Sequence, residues 1–191
     1  MEKKLKDKKG DTFSSQEKQG TKRSRKKSEF GKQLEEKQRL KREYGMRERQ
    51  FKRFFQLAIQ KREGSPGENL LSLLERRLDN VVYQLGMAKS RRHARQWINH
   101  GHYRVNGKKV SIPSFLVSVG DEISVSPRVI DKKAETMMSD IDKRMSIRVK
   151  VPEWLELMKK DRKGKVLRYP VRSDIVKFSV EEHLIVELYS R

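Results

Sequence analysis

The chain predicts an α+β fold on three observations. From Ser28 to about Gly101, apolar residues recur at helical spacing in runs that stop at Gly45, Gly64, Gly86 and Gly101. After Gly101 the period falls to two, and Asn106-Gly107 separates two short alternating runs, as in a two-residue hairpin. Further short strand-like runs follow. The first 27 residues hold almost no apolar side chains and read as a basic arm, disordered or extended, that orders only on a partner.

Each element has a local cause. Ser28 can cap a helix whose Phe30, Leu34 and Tyr44 lie near one face. In the next helix Phe51, Phe54, Phe55, Ala58 and Ile59 follow the spacing of a buried stripe, which makes the phenylalanines core residues. Gly64 to Gly67 reads as a loop. Leu70, Leu71 and Leu74 continue as helix to a break near Leu78, where Asp79 is placed to cap a short helix carrying Val81, Val82 and Leu85. Ser90 caps a helix from Arg91 to His100 that buries Ala94, Trp97 and Ile98. The hairpin loop then sets a register: Val105 faces Lys108, Arg104 faces Lys109, and Tyr103 faces Val110. Ser118 to Asp121 is a turn and Glu122 to Val125 a strand. Lys132 to Arg144 reads as a helix with Met137, Met138 and Ile141 inside. Trp154 to Met158 pairs with Val166 to Tyr169 across a basic turn. The segment from Glu182 to Tyr189 is too short for periodicity to choose helix or strand.

The chemistry is carried by Lys89 to Lys109, which holds seven Lys or Arg, three His and no Asp or Glu within a stretch patterned to fold. Arg91 and Arg92 in a first turn oppose the helix dipole, and Arg104 and Lys109 are like charges side by side on the hairpin. A bound phosphate reverses the helix penalty. The nucleic-acid candidates are therefore Lys89, Ser90, Arg91, Arg92, Arg95, Asn99, His100, His102, Arg104, Lys108 and Lys109. Arg47, Arg49, Lys52 and Arg53 join them from the phenylalanine helix, off its apolar stripe. His100 and His102 lack any Cys or nearby carboxylate to complete a metal set, so no metal site and no cofactor is expected.

Composition points the same way. The 191 residues are 34% hydrophobic and 38% charged, with a formal charge of +21, which favours a polyanionic partner and salt-dependent binding. Residues 1–63 carry 22 basic and 10 acidic side chains, with Arg23, Arg25, Lys26 and Lys27 the densest cluster of the arm. No apolar run is long enough to span a bilayer, and the N-terminus lacks the apolar core of a secretory signal, so neither membrane nor secretion is expected. The absence of cysteine removes disulfides and thiol catalysis. No motif pairs a nucleophile with a base, and no small-molecule substrate is expected.

Leu74-Glu75-Arg76-Arg77-Leu78-Asp79-Asn80-Val81-Val82-Tyr83, the Ser90-to-Gly101 helix, Val105-Asn106-Gly107-Lys108 and Val119-Gly120-Asp121 resemble an RNA-binding module. Pseudouridine synthases, some tRNA synthetases and a heat-shock RNA binder share it. Ser28-Glu29-Phe30-Gly31 through Glu48-Arg49-Gln50-Phe51, and the ending from Leu184 to Arg191, are similar to the bacterial-type ribosomal protein S-four family of the small subunit. The resemblance covers about residues 28 to 191; residues 1 to 22 lack the family's usual opening. It implies a helical domain from residues 28–75 plus about 170–191, with a helical end. Inserted between these is an RNA-binding domain, 76–169, with its core module at about 76–140 and a small antiparallel sheet. It further implies direct, early binding to small-subunit rRNA in a cytoplasmic or organellar ribosome. It also implies contact with messenger RNA where it enters, through Arg23, Arg25, Lys26 and Lys27, and an influence on accuracy. Arg172, Ser173, His183 and Tyr189 are the candidates for contact with ribosomal protein S-five. The alternatives are a free RNA chaperone or an RNA-modifying enzyme built on the same module.

Overall fold

The computed structural model describes residues 28–127, 135–146, 150–175 and 179–190. The arm with Arg23, Arg25, Lys26 and Lys27, and the expected helix start at Lys132, lie outside them. Among the described residues the fold is α+β. Its helices are α1 (Glu29–Glu43), α2 (Glu48–Gln60), α3 (Pro66–Glu75), α4 (Leu78–Gln84), α5 (Arg91–Asn99), α6 (Glu135–Ser146) and α7 (Glu182–Tyr189). Its strands are β1 (Tyr103–Val105), β2 (Lys108–Lys109), β3 (Glu122–Val125), β4 (Leu155–Met158) and β5 (Lys163–Val166).

One apolar core gathers α1, α2, α3 and α7. Phe51, Phe54, Phe55 and Ala58 are buried on α2, as the spacing predicts, and Leu70, Leu71, Leu73 and Leu74 meet them from α3. Ile59, expected in the stripe, is half exposed at its edge. α1 differs more. Ser28 caps it, accepting from the Gly31 N–H at 3.2 Å, but Phe30 is exposed and the buried face is Gln33, Glu36, Leu40 and Tyr44. Polar side chains can turn inward because α7 answers them. Gln33 donates to Glu187 at 3.0 Å, and Glu36 accepts the Glu181 N–H at 3.0 Å. The loop expected at Gly64 to Gly67 is shorter, since Ser65 caps α3 and Pro66 and Gly67 form its first turn.

A second core lies under the sheet and takes in Leu78, Val82, Leu85, Ala94, Ile98, Tyr103, Ile123, Trp154 and Val166. The sheet is antiparallel in the order β2-β1-β3-β5-β4. Arg104 pairs with Lys109 and Val105 with Lys108, the register read from the sequence. Asn106 and Gly107 take φ values of 50° and 74°, the left-handed conformation that a type I′ turn requires. α6 buries Ile141 and Met145, and Met138 packs beside them. The strand after Trp154 pairs as expected, but with Lys163–Val166, which the sequence reading assigned largely to the turn. Gly164 explains the position. A Cβ there would lie 2.3 Å from a methyl of the buried Leu85, so glycine lets β5 close on the end of α4 without displacing that side chain.

Asp79 does not cap α4. The cap position is Arg77, and Asp79 lies buried in the first turn beside it.

Candidate nucleic-acid interface

α5 and the hairpin hold most of the candidates, and the structure divides them into two sets. Ser90 accepts the His93 N–H at 3.2 Å and so fixes the start of α5. Arg91 and Arg95, one turn apart, both reach back to the first core. Arg91 donates through Nε to Asn80 at 2.7 Å and through Nη1 to the Glu43 carboxylate at 2.7 Å. Arg95 donates through Nε to Asp79 at 2.6 Å and through its Nη atoms to the carbonyls of Gly45 and Tyr44. Residues read as phosphate ligands are thus already engaged. Their charge is answered within the chain, which removes much of the electrostatic penalty expected of an acid-free helix.

Beneath them lies a polar network invisible to periodicity. Asp79, 1% exposed, takes two bonds from Arg77, at 3.1 and 2.8 Å, besides that from Arg95. Glu75, equally hidden, accepts from Tyr44, Asn80 and Gln84. Burial and the neighbouring Glu75 carboxylate hold the Tyr44 hydroxyl well above the usual tyrosine range, so it stays a donor. A charge buried in this way is stable only when paired. No local signal marks these residues: four of the ten residues from Leu74 to Tyr83 are charged, and periodicity assigns such residues to a solvent face.

The other candidates face outward. Lys89, Arg92, Asn99, His100, Lys108 and Lys109 are exposed, and Arg92 has no ion pair among the described residues. His102 and Arg104 are half-buried. Arg104 donates to Gly107 at 3.3 Å, while its Nε is buried without an acceptor among the described residues. Burial lowers the pKa of His102, helped by His100, whose ring centroid is 5.7 Å away, and by Lys109. Burial likewise lowers that of His93, with Lys89 and Arg144 adding to it and Asp140 opposing.

Arg47, Arg49, Lys52 and Arg53 are exposed on α2. Arg47 meets Arg95 and Asn99 in a cleft of about 390 Å³ between the two cores. Of the partner candidates, Ser173 and His183 are exposed. Arg172 is occupied by Glu182 at 3.1 Å and the Val180 carbonyl at 3.0 Å. Tyr189 stacks on Phe55 at 4.3 Å and donates to Glu48 at 3.3 Å, so both these residues anchor the C-terminal segment. No cluster of metal-ligating side chains occurs among the described residues, and no helix in them is long and apolar enough to cross a membrane.

Comparison with known proteins fits this geometry. Residues 76–123 match the family model described as the S4 domain, and residues 2–75 match that of the ribosomal protein S4/S9 N-terminal domain. The second match reaches back through the arm, beyond the Ser28 start read from the sequence. Small ribosomal subunit protein uS4 of Halothermothrix orenii is 50% identical over 169 residues, covering 88% of this chain and 78% of that protein. The proteins of the same name from Caldicellulosiruptor bescii and Acetivibrio thermocellus are 51% and 50% identical over 164 residues, covering 86% of this chain and 76% of each.

Proposed function

Because the chain belongs to the family of small ribosomal subunit protein uS4, a non-enzymatic family whose members carry an S4 RNA-binding domain, we propose that it is a structural constituent of the small ribosomal subunit. It binds small-subunit rRNA directly and early in assembly. The observation that carries the reading is the outward set Lys89, Arg92, Asn99, His100, Lys108 and Lys109, with Arg47, Arg49, Lys52 and Arg53 on α2 across the seam. These residues neutralise backbone phosphates from two directions. Arg91 and Arg95 act differently, by fixing the seam from which the others project.

The helical domain comprises 28–75 with about 170–191, and the RNA-binding domain 76–169; the two apolar cores support this division. Arg23, Arg25, Lys26 and Lys27 border the channel by which messenger RNA enters. Ser173 and His183 contact ribosomal protein S-five on a surface that Arg172 and Tyr189 position, and through it the protein influences decoding accuracy. The bacterial relatives support a cytoplasmic ribosome. Sedimentation of cell extract through a high-salt gradient tests the assignment. The protein should stay with the small subunit, whereas recovery at the top of the gradient would favour a free RNA chaperone.

A further inference from the structure

We propose that the cleft between the N-terminus of α2 and the C-terminal end of α5 holds a single RNA backbone phosphate, which ties the two cores together. The proposal rests on the rRNA-binding reading and adds to it a particular site.

Gly45, Arg47 and Gln50 line the cleft from one core, and Arg77, Arg95 and Asn99 from the other. α2 begins at Glu48 with no side-chain cap from Arg47. Its first-turn amides therefore receive no acceptor from the cap side chain, at the positive end of a 13-residue helix. The acid of that turn does not fill the space. Glu48 is drawn to Lys37 at 2.6 Å and Lys41 at 2.9 Å, and their bonds hold its carboxyl at about 2.

Arg77 is the independent observation. It is 2% exposed, two of its nitrogens are committed to Asp79, and its Nη1 is buried with no acceptor among the described residues. Asp79 is shared with Arg95, so one carboxylate answers two guanidinium groups, and Arg47 adds a third cation at the rim. The site is left with an excess of positive charge, amides with no side-chain cap and the Asn99 side-chain amide on the far wall. A monoanionic phosphodiester matches that charge and donor set. Arg47, Asn99 and the α2 amides would touch it, with Arg77 contributing its charge from beneath. Since these groups come from both cores, the phosphate would tighten the seam that Arg95 already spans.

Ethylation interference with protein-free small-subunit rRNA reads this directly. The full-length protein should lose binding when one particular phosphate is ethylated. The Arg47→Gln/Asn99→Ala variant should become indifferent to that phosphate while keeping the rest of the pattern. Its affinity should fall on the order of tenfold, and its log–log salt slope by roughly 0.7 to 0.9, one phosphate contact. Lys160→Gln, in the turn between β4 and β5, should leave every sensitive phosphate in place. An identical set of sensitive phosphates for variant and parent overturns the proposal and leaves rRNA binding standing. Loss of folding in the variant, checked by thermal unfolding, makes the residues structural and also overturns it. No binding by the parent chain overturns both readings.

Discussion

Replacing Arg95 by Gln should destabilise the free protein, whereas Arg92→Gln on the same helix should not. The Arg95 side chain gives one bond to a buried carboxylate on its own side of the seam and, across the seam, others to the carbonyls of Gly45 and Tyr44. Removing one partner of a buried ion pair usually costs about 3 to 5 kcal/mol. Here Asp79 keeps both bonds from Arg77, so no charge is orphaned. The cost therefore falls nearer that of a hydrogen bond to a charged group, about 1.5 to 3 kcal/mol. At this size that is a fall in Tm of roughly 3 to 12 °C. Arg92 is exposed with no ion pair among the described residues, so its loss should stay within about 0.5 kcal/mol. Urea denaturation followed by circular dichroism, without RNA, compares the two. The charge pattern of the sequence predicts the opposite, since thinning an acid-free basic patch should relieve repulsion. Equal stability of the two variants would refute the seam assignment and restore that simpler account.

Replacing Arg92, Lys108 and Lys109 together by Gln should leave the unfolding midpoint unchanged and lower the log–log salt slope by about 2 to 3, at roughly 0.7 to 0.9 per phosphate contact; an unchanged slope would place RNA elsewhere. Deleting residues 182–191 removes the buried Ile185 and the Tyr189 stack on Phe55, and should destabilise the helical core by at least the 2 to 5 kcal/mol typical of one lost aliphatic. A cooperative unfolding transition at the original denaturant concentration would contradict it. His93 and His102 have lowered pKa values in the free protein, so the folded state binds fewer protons than the unfolded chain. Their contribution to stability is present above about pH 6.5 and is lost as the pH falls below it. RNA phosphates favour the charged imidazoles, so binding should take up protons near pH 6, measurable by calorimetry in buffers of different ionisation enthalpy.

Local chemistry was legible in the sequence, and partnership was not. The hairpin register followed from Asn106-Gly107 alone because a two-residue loop permits one pairing. The α2 phenylalanines followed from their spacing. β5 was misplaced because Lys163-Gly164-Lys165 reads as a turn until Leu85 is known to need the space. Phe30 misled because the face α1 buries is set by α7, distant in the chain. The candidate interface was found as a segment but not sorted. Arg91 and Arg92 are adjacent in the sequence, yet the helix turns one toward Glu43 and Asn80 and the other to solvent. The sequence offers Asp79 only as a cap and leaves Arg77 without a role, because periodicity assigns charged residues to the surface and nothing local announces that they pair inside.

The central claim is that two folded surfaces, not a generic positive charge, take this chain to small-subunit rRNA. Competition binding of the purified full-length protein to protein-free small-subunit rRNA, with large-subunit rRNA as competitor across a salt titration, tests it most directly. The account predicts a steep slope for both RNAs but a preference for the small-subunit RNA that survives as salt rises. Equal affinities at every salt concentration would contradict it.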